Sequence, residues 1–273
     1  MDSTTVSLFA EHGMRTARER SDHTAFVDGD FLYVWGGYYL FCVNLLDGMF
    51  TWRRVTDSKG SPPSPRDKHS SWVHADRIIY FGGYGCKQMR EVNDSRSFIT
   101  DEISWGDPPK ARAAHSTATL GKMGYLCGGM EAISMDIHCL DLESWTWTKI
   151  VPTSTVPMER SWHTLTSLWD STLFLFGGLS AVGEPLSDAW IFDIRTKEWT
   201  ELQHPHRDKP RLWHSACQGP DSDVIVFGGS RDYTLIMDSV CAITTSYYSA
   251  LLMSHGYESV VHTLIFTMQG ESC

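Results

Sequence analysis

The sequence has 273 residues, 42% of them hydrophobic, and a formal net charge of −10, and this acidic balance argues against non-specific binding to nucleic acid, whose phosphate backbone attracts a basic surface. No apolar run reaches the roughly 20 residues of a membrane span, and the N-terminus lacks the basic region, longer apolar stretch and cleavage site of a secretory signal. Seven cysteines with no C-x-x-C pair favour free thiols in the cytoplasm or nucleus over a disulfide framework or a zinc site.

A pair of glycines recurs five times, each time after a short apolar run. The pairs are Gly36-Gly37, Gly82-Gly83, Gly128-Gly129, Gly177-Gly178 and Gly228-Gly229. An Arg-x-x-His tetrad precedes each pair, and its arginine lies 16 or 17 residues before the first glycine. The tetrads begin at Arg20, Arg66, Arg112, Arg160 and Arg211. Two motifs that stay in step through five units, at spacings of 46 to 51 residues, indicate an internal repeat.

The residues within each unit predict short strands. The runs FLYVW, RIIYF, TLFLF and DVIVF before the glycine pairs are rich in β-branched and aromatic residues and too short for helices. The first glycine of a pair can take a positive φ, and the second lets a neighbouring backbone approach closely. A further strand is predicted at residues 189–194, and a tryptophan begins an outer strand at Trp52, Trp147 and Trp199. Four short antiparallel strands per unit, repeated around an axis, predict an all-β propeller.

These motifs resemble those of kelch-repeat β-propellers. The segments SPPSPRDKHSSWV, ARAAHS, RSWHTLTS, PLSDAW and KPRLWHSAC are, more narrowly, similar to the small kelch-domain-containing substrate receptors of cullin-2 ubiquitin ligases. The resemblance covers nearly everything from about Arg20 to Ser230. It implies a six-bladed propeller that captures C-terminal degrons, typically ending in glycine, in a pocket on one face. It also implies elongin B/C and cullin-2 as partners.

The chain departs from this family in its blades. It has five recognisable tetrads, whereas the family has six blades. Trp52 follows Gly37 by 15 residues and Trp199 follows Gly178 by 21, so we predict that an internal deletion has removed one blade near the first glycine pair. Trp105 stands almost directly before a Pro-Pro pair at residues 108–109, so we predict that the second blade is incomplete.

The predicted organisation has three parts. Residues 1–15 form an N-terminal segment, residues 16–240 form the kelch propeller, and residues 241–273 form an irregular tail with a final strand near 262–269. The family continues into helices that dock the elongin and cullin subunits, and we expect that docking region to be absent here.

The tetrad arginines admit two interpretations. Equivalent positions of a propeller fall on a ring, and a ring of guanidinium groups suits a peptide carboxylate. Alternatively, the arginines satisfy backbone carbonyls or pair with acidic residues between blades, and the histidines hydrogen-bond within their strands.

The family resemblance assigns the peptide C-terminus to a smaller set of residues. It matches Arg160, Ser161 and Trp162 to carboxylate-contacting positions and Lys68 and Tyr84 to pocket positions, while Trp213 supplies a second apolar wall by its place in the repeat. The family's two further arginines after the third glycine pair are missing, and Met130 begins that segment. We therefore expect a partly erased degron site.

Two other functions compete with degron binding. In the first alternative, the chain is a plain kelch scaffold or an inactive splice form with no ligase role. In the second, which is less favoured, it is a metal-dependent kelch enzyme. Glu184 and Asp188 have the spacing of an iron-type site, but Phe192 occupies the position of the required histidine, and His204 and His206 lie on a polar loop. We expect a non-catalytic protein with no cofactor and no metal.

Overall fold

The structure is a computed structural model, which describes residues 23–36, 39–56, 65–75, 77–85, 90–91, 96–97, 105–130, 134–168, 171–219, 223–231, 234–236 and 240–244. Among these residues every regular element is a β-strand, and none belongs to a helix long and apolar enough to cross a membrane. The main sheets follow the sequence repeats in order, as blades of a propeller. We call them blades 1 to 5. The predicted all-β propeller is confirmed.

Blade 1 is a four-stranded antiparallel meander. Its strands are β1 (Thr24–Asp28), β2 (Phe31–Gly36), β3 (Tyr39–Asn44) and β4 (Arg53–Arg54). The short segment in which we predicted a deletion therefore still completes a sheet, although its outer strand has only two residues. Trp52 directly precedes this outer strand, as predicted from the repeat.

Blade 2 combines a sheet of three strands with a smaller sheet beside it. Its strands are β5 (Arg66–Asp67), β6 (Ser70–His74), β7 (Arg77–Phe81), β8 (Tyr84–Gly85), β9 (Arg90–Glu91) and β10 (Arg96–Ser97). The blade sheet has the order β10-β7-β6, and the smaller sheet has the order β5-β8-β9. Residues 98–104, which would hold an outer strand, lie outside the described residues, so the incompleteness of this blade stays a prediction.

Blade 3 is bordered by the chain segment that enters it. Its strands are β11 (Trp105–Gly106), β12 (Ser116–Leu120), β13 (Met123–Cys127), β14 (Ile137–Asp141) and β15 (Thr146–Ile150). β11 pairs in parallel with the outer strand β15, and the Trp105 amide donates to the Trp145 carbonyl at 2.8 Å. The entering segment thus covers part of an edge that would otherwise present unpaired backbone groups.

Blade 4 has the longest strands of the described chain. Its strands are β16 (Arg160–Ser161), β17 (Thr164–Leu168), β18 (Thr172–Ser180), β19 (Pro185–Asp193) and β20 (Glu198–Leu202). β18 continues through its glycine pair with a bulge between Phe176 and Gly178, so that β16 pairs with its end. The strands predicted at the apolar run before the glycines and at residues 189–194 are confirmed, although β19 begins and ends earlier than predicted.

Blade 5 extends across the predicted domain boundary at residue 240. Its strands are β21 (Ser215–Gln218), β22 (Asp223–Phe227), β23 (Ser230–Arg231), β24 (Thr234–Leu235) and β25 (Val240–Thr244). β25 pairs with β22 along its whole length, so the blade runs at least to Thr244. The final strand predicted near residues 262–269 lies outside the described residues.

The hydrophobic core lies between consecutive blades. Between blades 2 and 3, Trp72 and Phe81 pack against Trp147 with ring centroids 5.9 and 5.4 Å away. Between blades 3 and 4, Tyr125 belongs to the same buried cluster as Phe192. Repeat proteins stack in this way because one unit cannot bury its apolar face alone.

The glycine pairs fit these interfaces for a steric reason, which the second pair illustrates. Gly82 has φ +66°, and a Cβ there would lie 2.4 Å from the Arg112 carbonyl oxygen of blade 3. Gly83 has φ +87°, and a Cβ there would lie 2.4 Å from the Asp67 carbonyl oxygen of its own blade. Both glycines therefore combine the left-handed conformation with a close backbone approach. From the sequence we predicted the positive φ for the first glycine and the close approach for the second.

Candidate functional site

The described tetrad arginines are buried and bond to the backbone of their own repeat. In each case Nη1 donates to the carbonyl of the first glycine of the pair. The four bonds are Arg66 to Gly82 at 3.2 Å, Arg112 to Gly128 at 2.9 Å, Arg160 to Gly177 at 3.1 Å and Arg211 to Gly228 at 3.0 Å. These contacts correspond to the structural interpretation of the tetrads. Arg20 lies outside the described residues.

Arg160 also makes a bidentate ion pair with Asp188 on β19. Its Nη1 and Nη2 lie 2.6 and 2.8 Å from the two carboxylate oxygens, and its Nε donates to the Met158 carbonyl at 2.9 Å. Burial acts to raise the pKa of Asp188, but the Arg160 guanidinium outweighs it, so the pKa lies below its ordinary value. Since the Arg160 side chain has no exposed surface and four of its N–H groups bind within the chain, a peptide carboxylate would have to displace Asp188 to reach it.

Three tetrad histidines link neighbouring blades. Their Nε2 atoms bond to a hydroxyl that follows the tetrad of the preceding blade. The pairs are Thr24 with His69 at 3.0 Å, Ser70 with His115 at 2.6 Å and Thr164 with His214 at 3.0 Å. Burial lowers the pKa values of His115 and His214 to about 3, so these rings are neutral at physiological pH and serve as structural links.

The third tetrad residue of each of blades 2 to 5 has an unusual backbone. Lys68, Ala114, Trp162 and Trp213 have φ values of 53°, 54°, 52° and 59°, in the left-handed region that residues other than glycine seldom adopt. The amides of the last three donate to the carbonyl of the equivalent residue in the preceding blade, from Trp213 to Trp162 at 3.3 Å, from Trp162 to Ala114 at 2.9 Å and from Ala114 to Lys68 at 2.9 Å. The four residues therefore form a continuous arc through blades 2 to 5.

The side chains on this arc form a cluster with Tyr84, which follows the second glycine pair. The Lys68 Nζ lies 5.4 Å from the Tyr84 ring centroid and 5.8 Å from the Trp162 ring centroid. The Trp162 and Trp213 rings meet edge to face at 6.0 Å, and Trp213 is 46% exposed. We call Lys68, Tyr84, Trp162 and Trp213 the Lys68 cluster. No carboxylate pairs with the Lys68 ammonium among the described residues.

The structure thus brings four of the six predicted site residues together in the Lys68 cluster. The other two, Arg160 and Ser161, are buried and make contacts within their own blade. Arg160 is held by Asp188, and Ser161 is buried in β16, opposite Leu179 on β18. Met130 lies beside the cluster, with its sulfur 4.0 Å from the Tyr84 hydroxyl. Ala114 was not predicted as a site residue, although its position between the tetrad arginine and histidine is the signal that places it on the arc.

The residues considered for a metal site have other contacts. Among the described residues, no group of three or more His, Cys, Asp or Glu side chains is arranged to hold a metal ion. Phe192 is buried against Trp199 at a centroid distance of 5.0 Å, and Asp188 binds Arg160. The His204 Nδ1 accepts the backbone N–H of His206 at 3.2 Å. The spacing that suggested an iron-type set therefore does not assemble one here.

Comparison with known proteins gives consistent matches. The sequence matches the family described as the KLHDC2/KLHL20/DRC7 Kelch-repeats domain over residues 2–178 and 134–259. It is 36% identical to human Kelch domain-containing protein 1 over 318 residues, covering 82% of this chain and 78% of that protein. It is 37% identical to bovine Kelch domain-containing protein 2 over 243 residues, covering 75% of this chain and 60% of that protein.

The first of these alignments bears on the predicted deletion. It spans 318 positions and covers 82% of the 273 residues of this chain, which is about 224, so about 94 of its positions hold no residue of this chain. The repeat itself is 46 to 51 residues long. The unmatched positions therefore amount to about two repeats, and the loss of a single blade stays a prediction.

Proposed function

The chain belongs to the kelch-repeat family, whose domains generally serve protein interaction rather than catalysis, and on that premise we propose that it binds the C-terminal carboxylate of partner proteins at the Lys68 cluster. We further propose that the bound proteins are substrates of a cullin-RING ubiquitin ligase, as the sequence resemblance implies. The observation that carries the proposal is the position of the Lys68 ammonium, 5.4 Å from the Tyr84 ring centroid and 5.8 Å from the Trp162 ring centroid.

The chemistry of the cluster favours a carboxylate carried by a small terminal residue. An ammonium and a carboxylate form a charge-assisted hydrogen bond, which is stronger than a neutral one. The aromatic rings beside Lys68 lower the local dielectric and so strengthen that attraction. Trp162 beside the ammonium and Trp213 against Trp162 provide apolar walls for the last residues of a peptide, which suits the small glycine termini that the resemblance implies.

We expect the affinity to be modest. Arg160 is already paired with Asp188, and Met130 stands beside Tyr84 in the segment that the resemblance associates with further arginines. A single cation then contributes roughly 1.5–3 kcal/mol where several would contribute more. M130R should accordingly raise the affinity for peptides with a free C-terminus by about tenfold or more and leave amidated peptides unaffected.

Fluorescence polarisation with labelled peptides ending in Gly-Gly tests the carboxylate site directly. We expect the free acid to bind and its C-terminal amide to lose at least about tenfold in affinity, since the amide removes the charge-assisted bond. K68A should cause a comparable loss. K122A is the matched control, because Lys122 is exposed and pairs with Glu143 away from the cluster. Equal binding of acid and amide, or unchanged binding by K68A, would contradict the proposal.

The ligase role needs a separate measurement, because a kelch scaffold without that role would bind peptides equally well. Co-purification of elongin B/C and cullin-2 with the full chain, expressed in cells and recovered from the cytoplasm and nucleus, would support the ligase role and would overturn our expectation that the docking region is missing. Peptide binding without these subunits would instead support the plain scaffold or an inactive form of the receptor. K68A would leave co-purification unchanged, since the subunits dock outside the peptide site.

A further inference from the structure

The interfaces between blades share a second repeated contact besides the hydroxyl–histidine bond. The residue directly before each glycine pair is aromatic in most blades, and it packs on the tetrad histidine of the next blade. The centroid distances are 4.5 Å for Trp35 and His69, 5.5 Å for Phe81 and His115, and 5.4 Å for Phe176 and His214. The hydroxyl bond and the aromatic contact therefore occur together at the interfaces of blades 1 and 2, 2 and 3, and 4 and 5.

The interface between blades 3 and 4 lacks both contacts. Cys127 occupies the aromatic position. Ser116 occupies the hydroxyl position, but within the part of the chain that the structure describes, neither its Oγ nor either ring nitrogen of His163 has a hydrogen-bond partner, although all three atoms are buried. The Cys127 backbone acts to raise the pKa of the His163 ring, as the Phe176 backbone does for His214, so this contact does not distinguish the two interfaces. Buried polar groups without partners destabilise the state that buries them.

The backbone contacts at this interface are the same as at its neighbours, and apolar side chains of blades 3 and 4 share one buried cluster, as those of blades 2 and 3 do. The Gly129 amide donates to the Arg160 carbonyl at 2.9 Å, and the Trp162 amide donates to the Ala114 carbonyl at 2.9 Å. The corresponding amides of Gly83 and Gly178 donate to the next tetrad arginine at 3.0 and 2.9 Å. The backbone bonds therefore do not compensate for the two missing side-chain contacts.

We infer that the propeller opens locally between blades 3 and 4 before it opens at the neighbouring interfaces. This interface also divides the Lys68 cluster, since Lys68 and Tyr84 belong to blade 2 and Trp162 and Trp213 belong to blades 4 and 5. Opening therefore separates the ammonium from the Trp162 ring 5.8 Å away. A protein populates such an open state according to its local free energy, and any ligand that contacts both sides favours the closed state.

Native-state hydrogen exchange at single amides tests this inference without any ligand. The amides of Gly83, Gly129 and Gly178 are matched probes, because each follows another glycine and donates to a tetrad arginine carbonyl across one interface. We expect the Gly129 amide to exchange at least about tenfold faster than the other two in the full wild-type chain. Protection of Gly129 equal to or above that of Gly83 and Gly178 would overturn the inference, whatever the outcome of the peptide-binding experiments.

A substitution at Cys127 provides the second arm. C127F restores the aromatic residue found at the other interfaces and should slow the exchange of Gly129 toward the rate of Gly178; C127L serves the same purpose if the larger ring prevents folding. C217A in blade 5 is the control and should leave the Gly129 rate unchanged. An exchange rate of Gly129 that is unchanged in both C127F and C127L would contradict the assignment of the fast exchange to the missing aromatic contact.

Discussion

Acidification should destabilise the propeller through its buried histidines. The His115 and His214 rings are buried, and burial lowers their pKa values to about 3 in the folded chain, whereas a histidine in an unfolded chain titrates near 6.5. Between these two values the unfolded chain binds a proton at each ring and the folded chain does not. The free energy of unfolding must therefore fall as the pH falls from about 6.5 toward 3.

The size of the effect follows from the two pKa values. Each histidine contributes up to about 1.4 kcal/mol per pH unit, but its unfolded form is only half protonated at pH 6.5, so a change from pH 6.5 to 5 removes about 1.7 kcal/mol per ring and about 3.3 kcal/mol for the pair. This is a large part of the roughly 5–15 kcal/mol that stabilises an ordinary folded domain. Both rings bond to neighbouring blades, so the loss is expected at the blade interfaces.

Urea unfolding followed by tryptophan fluorescence, at several pH values from 7.5 to 5, measures this dependence. We expect the slope of the unfolding free energy against pH to fall by about 1.4 kcal/mol per pH unit, the contribution of one proton, in H115Q and in H214Q, because glutamine does not titrate. H206Q is the control, since His206 is partly exposed on a loop. Slopes in H115Q and H214Q that equal the wild-type slope would refute the assignment of neutral, buried rings.

Two further predictions concern stability. D188N should lower the free energy of unfolding by about 3–5 kcal/mol, because it leaves the Arg160 charge buried without its counter-charge; urea midpoints measure this, and E143Q, at an exposed ion pair, should cost less than about 1 kcal/mol. G82A should cost at least about 2 kcal/mol more than G29A, because both have positive φ but only Gly82 has backbone within 3 Å of an added Cβ. Equal thermal midpoints for G82A and G29A would show that the contact with blade 3 yields easily.

The repeat and its strands could be predicted because their signals are local. An apolar run that ends in two glycines specifies a strand and its termination within a few residues, and β7 and β22 have the predicted bounds. The ends of β18 and β19 could not be predicted, because their extra residues are paired with each other and with β16, which lies more than ten residues away along the chain.

The candidate site could be predicted only in part. The sequence left Arg160 open between a carboxylate ligand and a structural residue, since a guanidinium suits both. The difference lies in Asp188, whose carboxylate reaches Arg160 from another strand at 2.6 Å, and no spacing rule encodes that contact. The Lys68 cluster was accessible because its members occupy repeated positions and match the family motif. The unpaired groups at Ser116 and His163 depend on three separate segments meeting at one interface, although the cysteine before the third glycine pair is visible in the sequence.

The two glycines of a pair have different neighbours, and this has a consequence for how such a chain can be shortened. Gly82 faces the tetrad carbonyl of the next blade, and Gly83 faces the backbone of its own. A cut placed at the same point in two repeats joins a glycine pair to a new tetrad of the same geometry. The excised length must then be close to a whole repeat. Gene rearrangements that keep this phase can remove a blade and still leave every remaining junction compatible, whereas a cut out of phase places a residue with a side chain where the neighbouring backbone leaves room only for glycine.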